Sequence, residues 1–470
     1  MIQILGSLYL LTVIGLSLYG FLGLLTLWLY WRHRHDAFPL PDAAEADLPP
    51  VTVQLPIFNE RYVVERLIET AVSLNYPPDR LQIQVIDDST DDTTTKAAML
   101  VQHYNKKGVN IALLRRDSRE GYKAGALAAA LRQASGEFIA IFDADFQPQP
   151  DFLRQTIPHF LNAPKLGMVQ ARWGHLNAGD SALTAAQAIA LDKHFAMEQT
   201  VRHRANMFPK FNGSGGVWRR SCIEQAGGWR ADTVCEDLCL STRATLNGCQ
   251  FRFLNDVVAP AELPISMTAY KNQQARWAKG SVQCLQIYGR AILADRQHTL
   301  MGRLYALLSM SAYAAHLFII ALLLLLVPLL VANYAFPVNM LAFSLAGIGQ
   351  PLLFILGQQV LYPDWRRRLR HFPTLLLMAL GTAPSNSRAI LQAIYGRRHP
   401  FIRTPKYGGG KTSYRLRLDR VIFGEIALAL YAALGLALAL AHNNFGPVFF
   451  LAASAFGFGY VAFLSFRETR

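Results

Sequence analysis

The chain has 470 residues and a formal net charge of +14, with 52% hydrophobic and only 17% charged residues. It is long enough for more than one domain and too apolar for an ordinary soluble protein. Its cations flank apolar runs (Arg32, Arg34, Arg366, Arg367, Arg368, Arg370, Arg397, Arg398), as positive-inside anchoring predicts; with no basic–aromatic reading surface, no nucleic acid partner is expected.

Residues 2–31 are apolar for longer than a signal-peptide core, without a basic n-region or a small-residue cleavage site, and read as an uncleaved anchor. Arg32-His33-Arg34-His35 follows, so this end is expected to face the cytoplasm. Four later segments can span: about 308–333, 339–362, 421–441 and 446–466. Residues 374–396 lie between two basic stretches and include Pro384, Ser385, Asn386, Ser387 and Arg388; they are expected to lie in the interface or re-enter rather than cross. The result is five spans, an N-terminus outside, and a bilayer partner. The expected domains are an anchor over 1–35, a cytosolic domain over 50–300, and membrane helices over 301–470.

Within the middle, Val51 to Leu55, Gln82 to Ile86, Val109 to Leu114 and Phe138 to Phe142 read as strands. Residues 60–75, 91–106 and 123–134 have helical spacing. Alternating strands and helices imply an α/β domain with a mostly parallel sheet, which binds ligands beyond the carboxyl ends of its strands. Asp87, Asp88, Asp143 and Asp145 fall there. All five cysteines, Cys222, Cys235, Cys239, Cys249 and Cys284, lie in the part expected to be cytosolic, so reduced thiols are expected. Cys235 and Cys239 have no second pair at ligand spacing and read as buried small residues.

Asp143-Ala144-Asp145 follows a buried strand; two such carboxylates can share Mg²⁺ or Mn²⁺ with a diphosphate, though a lone pair is equally a solvated turn. Asp87-Asp88 at a second strand end can accept hydrogen bonds from a nucleoside. In Gly121 to Leu127, glycines allow close backbone approach and Lys123 can meet a phosphate. Phe211-Asn212-Gly213-Ser214-Gly215-Gly216 could wrap an acceptor sugar, or be a plain turn. Glu236-Asp237 could supply the base that takes a proton from an acceptor hydroxyl, consistent with direct displacement and inversion; a helix N-terminus alone would also select an acidic pair. Gln273, Arg276 and Trp277 share one helix face. There Arg276 offers a fork for phosphate and Trp277 a ring on which a pyranose can stack, although tryptophan also collects at membrane interfaces. Phe401 to Lys406, followed by Gly408-Gly409-Gly410, could close over a diphosphate or be a basic linker.

Together, Asp87-Asp88, Asp143-x-Asp145, Glu236-Asp237 and Gln273-x-x-Arg276-Trp277 resemble the membrane-embedded family 2 glycosyltransferases, which include cellulose, chitin and hyaluronan synthases and ceramide glucosyltransferases. The nearest resemblance is to the plant cellulose-synthase-like A and C groups, which make β-1,4-mannan, glucomannan and β-1,4-glucan. The runs Gln84 to Asp91, Gly121 to Leu127, Ile141 to Pro148, Val169 to Trp173 and Ala226 to Trp229 carry it, densely over 50–290.

The resemblance implies a GT-A-like fold and an inverting, metal-dependent, processive transferase using UDP-glucose or GDP-mannose. It would extend a β-linked glucan, mannan or glucomannan and export it. It implies Asp87, Asp88, Lys123, Asp143, Asp145, Gln273 and Arg276 at the nucleotide sugar, with Mg²⁺ or Mn²⁺ on Asp143 and Asp145, and Asp237 as base. Trp277, Gln170, His175, Asn212, Gly213 and Glu236 would serve the glycan acceptor. Phe401, Thr404 and Lys406 would form a gating loop within about 397–420, where Arg403 replaces the usual apolar residue. Cys235 replaces the Thr of cellulose synthases. The implied location is the plasma (inner) membrane with the catalytic domain in the cytosol. The alternative is a single-sugar transferase acting on a lipid such as ceramide or diacylglycerol.

Overall fold

The computed structural model describes all residues except 37, 335–342, 344, 346, 397–418 and 469–470. The expected gating loop, with Phe401, Thr404 and Lys406, lies outside the described residues.

Four strands fall where the apolar runs predict them: β1 (Val51–Ile57), β2 (Leu81–Asp87), β3 (Ile111–Arg115) and β4 (Phe138–Ile141). Helices Val64–Val72, Thr93–Lys106 and Tyr122–Leu131 alternate with them. β1 pairs in parallel with both β2 and β4, and β2 with β3. Parallel strands covered by helices are buried on both faces, so β1 and β2 are buried along nearly their whole length, including Thr52, Gln54 and Gln84. Two core clusters result, one around Val53, Ile83 and Phe142, the other around Leu127, Ile139 and Trp218.

Three further strands were not visible as alternation: β5 (Leu166–His175), β6 (Gly216–Arg219) and β7 (Gln250–Ala261). The sheet order is β3-β2-β1-β4-β6-β5-β7. Only β6 runs against its neighbours, β4 and β5. A strand entering backwards at this place brings the preceding loop, Phe211 to Gly215, to the carboxyl end of β4. The carboxyl ends of β1, β2 and β4 share that edge.

Among the described residues, four helices are long and apolar enough to cross a membrane: Ile2–His33, Ala312–Val331, Val421–Ala441 and Val448–Arg467. They match four of the five expected spans; the fifth, about 339–362, falls partly outside the described residues. The described part of the expected 339–362 span is helix Gly349–Leu361, 13 residues long. Its Gln358 is fully buried and donates to Asp192 at 2.8 Å, so the helix docks by a polar contact on helix Ala182–Lys193. Residues 372–394 form two short helices, Phe372–Gly381 and Ala383–Ile394. Ser385, Asn386 and Ser387 of the second are buried.

Membrane helices also hold the domain's long helix, Met267–Ala294. Its Lys271 pairs with Glu425 at 2.5 Å and reaches Ser465 at 3.3 Å.

A second correction concerns cysteine. Cys222 and Cys249 are paired as a disulfide, their Cα atoms 6.6 Å apart, because helix Arg220–Gln225 and the approach to β7 converge beside Gly167. Cys235, Cys239 and Cys284 are free and buried, the burial as expected for Cys235 and Cys239.

Candidate active site

Lys123 stands at the centre of the site. The turn before it needs glycine twice. Gly121 has φ +71°, and a Cβ on Gly125 would lie 2.1 Å from the Glu120 carbonyl oxygen. The Lys123 ammonium lies 2.5 Å from Asp143, 3.8 Å from Glu236, and donates to the Gly213 carbonyl at 2.9 Å. Burial disfavours its charge, but Asp143 and Glu236 outweigh that and raise its pKa.

Asp143 and Asp145 follow β4. The Asp143 backbone N–H donates to the Ser214 hydroxyl at 2.8 Å, which ties the strand end to the Phe211–Gly215 loop. Asp145 is buried. Both carboxylates line one cavity with Asp88, Lys123, Gln273 and Arg276. Mg²⁺ and Mn²⁺ suit oxygen donors, and Mg²⁺ is commonly held by one or two carboxylates plus substrate phosphates. Two carboxylates on one cavity wall, with the cationic Lys123 and Arg276 beside them to meet phosphate, fit such an ion. Among the described residues no group of three or more His, Cys, Asp or Glu side chains could hold a metal. The remaining ligands would therefore come from phosphate and water.

Asp237 lies in the first turn of helix Glu236–Leu246 and accepts from the Leu238 N–H at 2.8 Å. Burial first and the neighbouring Glu236 second push its carboxyl up to about 7, against the opposing pull of Lys123 and Arg276. A carboxylate poised near neutrality can accept a proton from a sugar hydroxyl. Its Oδ2 packs against Gly213, whose φ is +86°.

Gln273, Arg276 and Trp277 project from one face of helix Met267–Ala294, whose N-terminus is capped twice. The Ser266 hydroxyl accepts from Ala269, and the Glu468 carboxylate accepts from Met267 and Thr268 at 2.5 and 2.9 Å.

These groups line a series of three cavities with shared walls. Lys123, Asp143, Asp145, Gln273 and Arg276 border both the first and the second. Asp237, Trp277, Asn212 and Gln273 border both the second and the third. The third, about 360 Å³, continues beneath the domain to Ser309, Tyr313 and Phe354. His175 lines the second cavity and is held by Asp192 at 2.9 Å.

Two expected site residues are placed differently. The Asp87 side chain is fully buried, accepting from the Ser89 N–H at 2.8 Å and the Thr94 hydroxyl at 2.6 Å. It shapes the turn after β2 and leaves the cavity wall to Asp88. Gln170 is buried, donating to Ser214 and Gly215 and accepting from the Asn212 N–H at 3.0 Å. Its amide builds the glycine-rich loop and would reach an acceptor only through it.

The sequence reading missed the far end of the first cavity. Arg116 grips Asp88 with two guanidinium nitrogens. The Arg119 guanidinium stacks 3.3 Å above the Phe58 ring, and both line the cavity. The signal available was Phe58 directly after a strand; nothing in spacing pairs it with residue 119.

Residues 49–280 match the family model described as glycosyltransferase like family 2. These residues are a family 2 glycosyltransferase domain. The domain's likeness extends to curated proteins. Glucomannan 4-beta-mannosyltransferase 2 of Arabidopsis thaliana is 40% identical over 291 residues, 60% of this chain and 54% of its own length. Glucomannan 4-beta-mannosyltransferase 1 of Oryza sativa subsp. japonica is 39% identical over 282 residues, 59% of this chain and 54% of its own length. The chain thus spans about half the length of these relatives. The solved structure of the mannosyltransferase PcManGT from Pyrobaculum calidifontis, in complex with GDP-Man and Mn²⁺, is similar with a TM-score of 0.57 and 22% identity. It covers 84% of this chain and 100% of its own. At that identity it supports the fold of the glycosyltransferase domain: a GT-A-like, mostly parallel sheet.

Proposed function

We propose that this chain is a membrane-anchored, inverting glycosyltransferase that adds hexose from a nucleotide-diphospho-sugar to the end of a β-linked glycan. The observation that carries this is the shared wall. A cavity with phosphate-binding chemistry and a cavity with an aromatic platform meet at Lys123, Gln273 and Arg276, and Asp237 lines the second of them.

In this reading the first cavity takes the donor. Asp88 and the Phe58–Arg119 stack would hold the nucleoside end, and Lys123 and Arg276 the diphosphate. Asp143 and Asp145 would hold a Mg²⁺ or Mn²⁺, which when bound supplies positive charge to the leaving diphosphate. Trp277 carries the acceptor sugar, and Asn212, Gly213, Glu236 and His175 frame it. Asp237 takes the acceptor hydroxyl proton as the oxygen attacks the anomeric carbon from the face opposite the diphosphate. A single base and no covalent intermediate give inversion.

GDP-mannose is the preferred donor and β-1,4-mannan or glucomannan the preferred product, with UDP-glucose and β-1,4-glucan next. The names of the plant relatives and the ligand of the Pyrobaculum structure support that order. The domain would face the cytosol at the plasma (inner) membrane, with repeated addition feeding the glycan outward along the third cavity.

The test is product analysis of protein in lipid, with Mg²⁺ or Mn²⁺ and radiolabelled donors. High-molecular-weight label cut by a linkage-specific mannanase or glucanase is expected. Label extracting into organic solvent as one discrete species would replace polymer synthesis by single-sugar transfer to lipid. No transfer from any donor would overturn the assignment.

A further inference from the structure

The third cavity has a cationic wall that the reaction does not use. Helix Ala182–Lys193 runs into a π-helical turn, His194–Gln199, and then helix Thr200–Arg204. Such turns are rare and recur at functional sites. In a regular α-helix, residues five apart diverge by roughly 140°. Here the wider turn lets Lys193 and Glu198 pair directly. Glu198 also meets His194 at 3.0 Å and Arg202 at 3.3 Å. Lys210 lies against the same cavity, donating to the Ser309 hydroxyl at 3.3 Å.

The charges do not balance. The cavity's charged lining is Lys193, Arg202 and Lys210 against Glu198 and the base Asp237. Among the described residues no carboxylate pairs with Lys210. Arg202 is 4% exposed, and its Nε is buried without a hydrogen-bond partner among the described residues. A buried cation without an anion is costly and sheds its proton or finds a counter-ion. Burial and the nearby Arg202 pull the Lys210 ammonium down to about 7. The wall continues, through Lys193, Glu198 and Arg202, into an adjoining pocket. Tyr19, Leu22 and Thr26 of the first membrane helix and Tyr305 line that pocket.

We propose that Lys193, Arg202 and Lys210 form an anion subsite that receives a phosphate ester carried by the acceptor. The hydroxyl end of that acceptor would lie at Asp237 and Trp277. This rests on the acceptor reading of the third cavity. The phosphate could belong to a membrane lipid, whose chain would follow the adjoining pocket, or to a soluble sugar phosphate.

The experiment measures binding to the full chain in detergent micelles, without donor. Farnesyl phosphate is compared with farnesol, and mannose 1-phosphate with mannose. The phosphate member of at least one pair is expected to bind about tenfold or more tightly than its alcohol, as charge-assisted hydrogen bonds would give. Preference confined to the farnesyl pair identifies a lipid phosphate; preference confined to the mannose pair identifies a soluble one. Equal binding within both pairs overturns the proposal. Lys210→Met and Lys193→Gln should erase the preference while GDP-mannose binding, the folding control, persists; Lys210→Arg should restore it. Preference undiminished in both loss variants also overturns it. Asp237→Asn should leave the preference intact. Failure of transfer with the preference present therefore counts against the proposed reaction, and transfer without the preference against the subsite.

Discussion

Lys123 and Asp143 meet at 2.5 Å, an ammonium at the start of one helix against the carboxylate just beyond β4. The same ammonium reaches Gly213 and Glu236. One cation thus joins the proposed donor side of the site to the loop and helix beside Asp237, the proposed base.

Lys123→Met should therefore do two things. Nucleotide-sugar affinity should fall by about one to two orders of magnitude, the value of a lost charge-assisted contact. The Asp237 carboxyl should move further up, because the ammonium opposes its upward shift. Calorimetric titration and the pH profile read the two effects separately; unchanged donor affinity would remove Lys123 from the diphosphate.

The pH dependence follows from Asp237. Its carboxyl is raised from 3.8 to about 7, and only the ionised form can accept a proton. The value of kcat/KM should rise with pH through about 7 and then level. Stability runs the other way. The native state holds this proton more tightly than the unfolded chain, so the group's contribution falls as pH rises from 3.8 through about 7. Asp237→Asn should lower transfer by roughly 10²–10⁴-fold yet melt no lower than the parent at pH 8. An acid limb that survives in the residual activity of this variant would assign it to another group.

Gly213→Ala isolates positioning. Its φ of +86° is strained for any Cβ, and the added methyl would lie 2.8 Å from Asp237 Oδ2. The expected cost is about 1–2 kcal/mol of stability. The rate should fall with donor affinity intact, a split that single-turnover assays and titration would reveal.

Glu468→Ala removes the carboxylate that accepts from Met267 and Thr268. A lost cap costs about 0.5–2 kcal/mol. The first turn of the helix carrying Gln273, Arg276 and Trp277 should then fray, which hydrogen exchange at residues 267–271 would detect. Exchange at the parent rate would show that Ser266 alone caps the helix.

Much of the site was legible because strand ends concentrate it. Apolar runs that stop at Asp87-Asp88 and Asp143 locate the edge of a parallel sheet, and the 273–276–277 spacing fixes one helix face. The rest depends on facts that spacing does not hold. Asp87 and Gln170 look like cavity groups, but Asp87 is consumed by the Ser89 N–H and Thr94 hydroxyl of the turn after β2, and Gln170 by the backbone of the loop Asn212 to Gly215. Phe58 and Arg119 meet only after the chain has folded. The π-turn at His194–Gln199 breaks the helical period on which any assignment of faces relies, so Lys193 and Glu198 read as strangers. In the described part of the third apolar segment, Gln358 carries a buried polar contact that fastens helix Gly349–Leu361 to the domain, which apolar length alone does not reveal.

The Lys271–Glu425 pair and the Ser465 contact fasten the catalytic helix to two membrane helices near its first turns. Arg276 and Trp277 begin one turn further on. The anchor and the reaction therefore share one lever arm. Bilayers of different thickness should hold that lever at different tilts, so turnover is expected to depend on whether it is measured in micelles, thin bilayers or thick ones.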